Sequence, residues 1–346
     1  MSIVITGAAG FIGSQLAYRL YKEEKKDLIL IDNFSYGSED NLIFDDKDFR
    51  DEILKLDIRD EKQINEIFKN NKVETCYHIA AITPLPDCQS NPSEAIDVNV
   101  RGTLIMLEAA RRYGCQRFVF ASTSAVYEND YDFPSQEKRE VFPSLIYPNT
   151  KFTCERFCQS YVDCYGMNIA CLRFANVYGP HMDCLRTQPP VVAYLVREYL
   201  NGRHPVLHGD GSQSRDYIYV EDLLDLTVLV GEKVEGFDIV NVGSNTTISV
   251  NELALKVQEL MGLSNLEPEC VESSHYWVNY PDLYQGAYSI NQEVLDHEVN
   301  KYTQLDNRKG GSYGWQIKHD LDTGLKKTIA YTTKVLKEHY EQVATK

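Results

Sequence analysis

The sequence predicts an α/β fold: a doubly wound parallel sheet with helices on both faces, followed by a smaller C-terminal α/β part. Three observations carry that reading. Short apolar runs alternate with amphipathic stretches through the first half of the chain, the pattern of repeated βα units. The first run, Ile3-Val4-Ile5, leads into Gly7-Ala-Ala-Gly10-Phe-Ile-Gly13, which opens an amphipathic stretch over 11–20. The second run, Leu28-Ile29-Leu30-Ile31, ends in Asp32, nineteen residues past Gly13.

Strand, tight turn and helix in that order make a dinucleotide site. Glycines without Cβ let the backbone approach a pyrophosphate, and a helix N-terminus offers free N–H groups and a positive dipole end. Gly7, Gly10, Phe11, Ile12 and Gly13 are therefore read as the pyrophosphate loop of a Rossmann domain. Asp32 sits where a carboxylate accepts hydrogen bonds from the adenosine ribose, and its charge repels a 2′-phosphate, which selects NAD over NADP. Further strands are predicted over 53–56 (ending at Asp57), 75–79, 117–120 and 169–172, and helices over 60–69, 93–112 and 148–165. Beyond these, 189–200 reads as a helix. The stretch 217–220 reads as a strand feeding a helix through Val230, and 238–242 as another strand. Residues 1–178 form the cofactor domain, with 216–246 returning to it. Ligands of such a sheet lie at the carboxyl ends of its strands.

Bulk properties narrow the partners. With 346 residues and 43% hydrophobic content the chain can bury a sizeable core. A net charge of −16 repels nucleic acid and anionic membranes, so neither is an expected partner. No segment has the roughly eighteen apolar residues of a membrane span, and the start does not read as a secretory leader. The nine cysteines are scattered, without paired CxxC spacing, which predicts reduced thiols in a cytoplasm and no metal site.

The chemistry concentrates after the strand at 117–120, in Ala121-Ser122-Thr123-Ser124-Ala125-Val126-Tyr127. Tyr147 follows Thr123 by twenty-four residues, and Lys151 follows Tyr147 by four. Positions i and i+4 share a helix face. An ammonium beside a phenol, with a positive nicotinamide nearby, favours the phenolate, which then acts as a general base, while Thr123 holds the same substrate oxygen. Tyr-x-x-x-Lys alone is common by chance: Tyr18 and Lys22 form a copy far from any hydroxyl cluster. The dinucleotide loop and the hydroxyls at a strand end single out the copy at 147.

As an ordered set, these motifs resemble the extended short-chain dehydrogenase/reductase family, in its nucleotide-sugar epimerase and dehydratase branch. The set is Thr6-Gly7-x-x-Gly10-x-x-Gly13, Asp32-Asn33, Asp57-Ile58, His78-x-Ala80-Ala81, Asn99-x-x-Gly102-Thr103, Ser122-Thr123, Tyr147-x-x-x-Lys151, Asn176-Val-Tyr-Gly-Pro180 and Arg215-Asp-Tyr217. The resemblance runs from the first residue to about residue 330. It implies that Asp57 and Ile58 hold the adenine, that Asn33 is a further cofactor-binding residue, and that Ala80 and Ala81 line the cofactor cleft. It implies that Asn176 contacts a sugar diphosphate, that Val192 and His208 flank the nucleotide base, and that Arg215 binds the diphosphate. Residues 179–215 and 247–346 would then form the nucleotide-sugar domain. Asn99 is read as a sheet-edge brace. The family's frequent dimerisation through two long helices makes Leu104, Leu107 and Tyr161 candidate contacts of a homodimer.

Relatives sharing Tyr and Lys diverge after the first oxidation. The resemblance places an Asp-Glu pair after the threonine in 4,6-dehydratases, a Glu at position 125 in decarboxylases and a Cys there in 3,5-epimerases. This chain has Ser124-Ala125, and alanine transfers no proton. His181 is read as a loop residue. The pattern points to a nucleotide-sugar 4-epimerase. A 4-dehydrogenase or ketoreductase with net redox chemistry is the alternative, and a catalytically idle NAD-binding regulatory protein a further one. Two departures bear on the substrate. Glu128 stands where the branch usually has glycine. Residues 272–303 are dense in aromatics (Tyr276, Trp277, Tyr280, Tyr284, Tyr288, Tyr302), which build either an altered pocket or a subunit contact. By a loose register Thr303 falls at the gate beside the sugar.

Overall fold

The computed structural model describes residues 1–24 and 27–344. The strands that position the site are, in chain order, β1 (Ser2–Thr6), β2 (Leu28–Asp32), β3 (Ile53–Lys55), β4 (Val73–His78), β5 (Arg117–Thr123), β6 (Ile169–Phe174), β7 (Asn176–Tyr178), β8 (Val206–His208), β9 (Ser214–Tyr219), β10 (Phe237–Val242), β11 (Thr247–Ser249) and β12 (Glu269–Val271). The main helices are α1 (Phe11–Lys22), α2 (Glu61–Asn70), α3 (Thr103–Arg112), α4 (Ile146–Tyr165), α5 (Val191–Leu200), α6 (Val220–Lys233), α7 (Val250–Leu260), α8 (Gln292–Asn300) and α9 (Leu321–Ala344).

The central sheet is seven-stranded, in the order β10-β6-β5-β4-β1-β2-β3. Every neighbouring pair in it is parallel. Its strands are apolar on both faces because both are covered: Ile3 and Ile5 enter one core cluster, Val4 the other. Strand order reverses between β1 and β4, so a crevice opens at their carboxyl ends. The predicted strands and helices of the first half all form, with one change. The stretch 93–112 is a helix Pro92–Ile96, a π-helical turn Asp97–Gly102 and then α3. In that turn Asn99 braces the loop after β4 rather than the sheet edge. Its Oδ1 accepts from the Ile82 N–H at 2.8 Å, and its Nδ2 donates to the Ile82 carbonyl at 2.9 Å.

The second half builds two smaller sheets. Strand β9 pairs in parallel with β7 and antiparallel with β11. Strand β8 pairs in parallel with β12. Within 216–246, β10 joins the central sheet while β9 stays in the smaller one. Helix α6 lies so close to the central sheet that a Cβ on Gly231 would sit 2.2 Å from the Tyr77 hydroxyl. The aromatic segment makes its own small core: Trp277, Leu283 and Leu295 pack together with Tyr276, Tyr280 and Ile290, and Leu85 joins them from the first half.

Candidate active site

Two cavities meet above the carboxyl ends of the central strands. The first, about 420 Å³, runs from the glycine loop to Thr123, Tyr147 and Lys151. The second, about 510 Å³, is walled by α5, β8, β9 and part of α8. They share Asn176, Val177, Arg186 and Pro190, which makes one continuous cleft.

The first cavity is built for a dinucleotide. Gly7 has φ +69°, and a Cβ on Gly13 would lie 2.0 Å from the Gly7 carbonyl, so neither tolerates a side chain. Gly10 begins α1 without a side-chain cap, which leaves the first helical N–H groups open. Asp32 Oδ2 accepts from Ala9 N–H at 2.9 Å and Oδ1 from Phe34 N–H at 2.7 Å. Each oxygen keeps a lone pair for a ribose hydroxyl. Burial raises the Asp32 pKa, and those amides oppose the rise. The wall holds Phe11, Ile12, Asn33, Ile58, Ala80 and Ala81, as expected. Its cations, Lys151 and Arg186, belong to the chemical end and the cleft junction, with none in the stretch from Ile31 to Gly37. The residues present therefore fit NAD. Asp57 is a correction: it stays off both walls, because Arg59 grips it with three bonds, from its N–H at 2.8 Å and its guanidinium at 2.9 and 2.8 Å, and Asn33 adds a fourth at 2.8 Å.

At the chemical end, the Thr123 hydroxyl accepts from Ala125 N–H at 3.1 Å and lies beside the Tyr147 phenol on the cavity wall. Burial holds the Tyr147 phenol above its usual pKa, and the neighbouring Thr123 hydroxyl opposes the rise. Lys151 is fully enclosed, and burial brings its pKa down to about 8. Its Nζ donates to the Ala121 carbonyl at 2.8 Å rather than to the phenol. The lysine therefore does not lower the phenol's pKa unaided; the other positive charge in that argument is the nicotinamide. Below lies a neutral histidine. Thr103 donates to the Asn99 carbonyl at 2.5 Å, so it accepts from His78 Nε2–H at 3.0 Å, and Nδ1 accepts from Thr6 at 2.7 Å. Burial brings the His78 pKa down to about 3.

Glu128, unexpected from the resemblance, follows the turn Ser124–Tyr127 and reaches the start of α4 with its side chain. Its carboxylate accepts from Ser144 N–H and from Leu145 N–H, the latter at 3.0 Å, so a negative charge faces the helix N-terminus that carries Tyr147. Its carbonyl accepts from His297 Nε2 at 2.7 Å, which fastens α8 to the catalytic helix.

The second cavity has Val192 and His208 on its wall. His208 meets Tyr276 edge-on, with centroids 5.5 Å apart. Asn176 stands at the junction and donates to the Asp216 carbonyl at 3.2 Å. Arg215 lines the cavity where the resemblance puts it, and its terminal nitrogens donate to the carbonyls of Ser214, Glu298, Val299 and Lys301 at the C-terminal end of α8. Two expectations change. Thr303 lies off both walls: its N–H donates to the Ser214 carbonyl at 3.0 Å, which stitches it to the edge of β9. Leu107 sits wholly in the core and cannot be a subunit contact, whereas Leu104 and Tyr161 are partly exposed. His181 is a loop residue as read, stacked between Phe44 at 4.5 Å and Tyr331 at 4.7 Å.

Sequence reasoning missed Arg186 and Tyr36. Both are loop residues without periodicity, and the chain offered no local signal for them. The aromatic segment divides its work. Tyr276 walls the second cavity, Trp277 fills the small core, and Tyr288 is 95% exposed.

Comparison with known proteins agrees with this geometry. The model of the NAD-dependent epimerase/dehydratase family matches residues 3–243, and the chain belongs to that family. Its cofactor is NAD. The UDP-glucose 4-epimerase of Mycolicibacterium smegmatis is 33% identical over 78% of this chain and 85% of that protein. The dTDP-D-glucose 4,6-dehydratase of Mus musculus is 29% identical over 96% of this chain and 88% of that protein. The crystal structure of the Thermotoga maritima UDP-glucose 4-epimerase with UDP-glucose superposes with a TM-score of 0.84 at 29% identity, covering 97% of this chain and all of that one. Among the described residues, no helix is long and apolar enough to cross a membrane.

Proposed function

We propose that the protein is a 4-epimerase of nucleoside-diphosphate sugars. NAD supplies an acceptor and then a donor for the hydrogen at sugar C4. Tyr147 takes the proton of the C4 hydroxyl and returns it. Thr123 holds that oxygen, and Lys151 keeps a positive charge beneath the pair. The sugar sits at the junction, its nucleotide in the second cavity. Inversion requires the 4-keto sugar to turn over before the hydrogen comes back, and a cleft of two joined cavities gives it room.

One observation carries the choice of epimerisation over dehydration. Beside Tyr147 the turn Ser124–Tyr127 presents a hydroxyl and a methyl where expelling the C6 hydroxyl needs an acid and a base. Asp183, the wall carboxylate nearest the junction in sequence, accepts from Leu185 N–H at 3.1 Å and Arg186 N–H at 3.2 Å and so serves its own turn. A 4-dehydrogenase or ketoreductase would use the same residues. We place the protein in the cytoplasm, as a homodimer through α3 and α4, with Leu104 and Tyr161 in contact.

The test is incubation of the holoenzyme with UDP-, dTDP-, GDP- and CDP-sugars, followed by proton NMR at C4. Inversion without added NAD is expected. Turnover that consumes stoichiometric NAD and leaves a ketone in solution assigns the dehydrogenase instead, and a 4-keto-6-deoxy product assigns the dehydratase.

A further inference from the structure

We propose that Glu128 is a positioning residue for the chemistry above. It fixes the spacing of Thr123 and Tyr147 by joining the turn that follows one to the helical turn that carries the other. The inference rests on the 4-epimerase reading. Tyr147 is the second residue of α4. The first N–H groups of a helix have no partner within it, so a first turn frays unless something outside accepts them. The local sequence supplies no acceptor: the residue before the helix is Leu145, without a side-chain cap. A phenol placed there has to be held from elsewhere.

Glu128 supplies the hold. Its Oε1 accepts from the Ser144 and Leu145 N–H groups, the latter at 3.0 Å, just ahead of Tyr147. Gln89, on the short helix Leu85–Ser90, takes the N–H of Ile146 at 3.1 Å. On its other side, the Glu128 N–H donates to the Ala125 carbonyl at 3.1 Å, and the Ala125 N–H donates to the Thr123 hydroxyl at 3.1 Å. A short path of hydrogen bonds therefore runs from Thr123 through Glu128 to the turn that bears Tyr147. His297 on α8 adds a third tie, since its Nε2 donates to the Glu128 carbonyl at 2.7 Å. With both backbone groups engaged and the residue 5% exposed, the side chain has little freedom to wander.

Reach, rather than charge, does the holding. One oxygen accepts both amides, while Oε2 is buried without a hydrogen-bond partner among the described residues. The charged groups that act on this carboxylate from α8 are Lys301 and Glu298, and they pair with each other at 2.5 Å. Glutamine would offer the same carbonyl oxygen to the same two amides. Aspartate would keep the charge but fall short by one methylene, about 1.5 Å. From a backbone tied at both N–H and carbonyl, that shortfall cannot be made up.

The experiment is steady-state kinetics of the NAD-loaded protein with UDP-glucose, dTDP-glucose, GDP-mannose and CDP-glucose, with inversion at C4 followed by proton NMR. The substrate that wild type turns over fastest is then given to Glu128→Gln and Glu128→Asp, with thermal melting and NAD content as controls for folding. Glu128→Gln is expected to keep kcat within about threefold of wild type. Glu128→Asp should lose about 10- to 100-fold in kcat with KM within about threefold, since moving a reacting group by about 1 Å costs on that order. Amide exchange over residues 144–147, read by mass spectrometry, should quicken in Glu128→Asp and stay at the wild-type rate in Glu128→Gln. Wild-type kcat in Glu128→Asp, an equal fall in both variants, a fall in Glu128→Gln alone, or a loss confined to KM overturns the role of Glu128. If wild type inverts none of the four sugars, the epimerase reading itself fails. That result differs from an active wild type matched by Glu128→Asp, and unchanged exchange over 144–147 would still refute the hold on the turn.

Discussion

Arg173 on β6 and Glu155 on α4 form an ion pair 2.6 Å long, with side chains 2% and 1% exposed. The pair lies directly behind the catalytic strand. Ser122, next to Thr123, donates to Glu155 Oε1 at 2.5 Å, and Glu155 follows Lys151 by one helical turn. Arg173 continues to the Tyr127 hydroxyl at 2.7 Å, and Tyr127 to Asn241 Oδ1 at 2.9 Å. One buried polar chain thus runs from the helix that bears Tyr147 and Lys151, past the end of β5, to β10.

Breaking this pair from one side leaves a buried charge without a partner. Arg173→Met is therefore expected to destabilise the protein by about 3–5 kcal/mol, measured by urea unfolding. Adding Glu155→Leu should recover most of that loss, since an apolar pair of similar volume has no charge to desolvate. Single variants within about 1 kcal/mol of wild type would show that the network is not the support assigned to it.

Lys151 sets an alkaline limit on turnover. Burial brings its pKa to about 8, below the usual 10.5, so the ammonium that donates to Ala121 is lost as pH rises through about 8. The kcat of the holoenzyme should fall above that pH. Lys151→Met should remove most activity across the range. A wild-type profile flat between about pH 7 and 9.5 would take the protonated lysine out of the mechanism.

His78 makes stability depend on acid. Its folded pKa is about 3 against 6.5 in the unfolded chain, so the neutral form is favoured by folding. The unfolded state binds the extra proton first, and stability declines as pH falls from about 6.5 toward 3, with a slope of up to about 1.4 kcal/mol per pH unit. His181, brought to about 4 by burial, adds a slope of the same sign. The informative quantity is the difference between wild type and His78→Gln, which keeps a donor and an acceptor for Thr103 and Thr6. Urea midpoints from about pH 7 to 4.5 should fall less steeply in the variant; parallel curves would refute the assignment.

These relationships show what the chain reveals before folding and what it withholds. The glycine loop, Asp32 and Thr123 were legible because each lies at a short, fixed offset from an apolar run, and a parallel sheet brings all such offsets to one edge; Tyr147 and Lys151 were legible from their four-residue spacing on one helix face downstream of Thr123. The packing of Arg215 against α8 was not legible, because its partners, Glu298 and Val299, lie 83 and 84 residues downstream. A lone arginine in a pattern does not announce whether it meets a ligand or the carbonyl end of a helix. Asp57 was placed by motif, but Arg59, two residues on, competes for it. The aromatic segment stayed undecided because its partners lie across the cleft.

Asp87 latches that segment to the cofactor half. Its Oδ2 accepts from the Tyr36 hydroxyl at 2.7 Å, and its Oδ1 accepts from that of Tyr280 at 3.1 Å. Tyr36 walls the first cavity, while Tyr280 belongs to the small core around Trp277 and also reaches Gln188 Oε1 at 3.2 Å. One carboxylate therefore ties together the loop after β2 and the cover of the second cavity. Removing it in Asp87→Ala should release both phenols, speed NAD dissociation about tenfold and raise amide exchange over residues 276–290. Tyr36→Phe and Tyr280→Phe should each give a smaller effect, since one tie remains. NAD release is read by fluorescence of the displaced cofactor after enzymatic reduction, and exchange by mass spectrometry. If Asp87→Ala releases NAD at the wild-type rate while exchange in the segment also stays unchanged, the two halves are held by apolar packing around Leu85 alone and the carboxylate is not a latch.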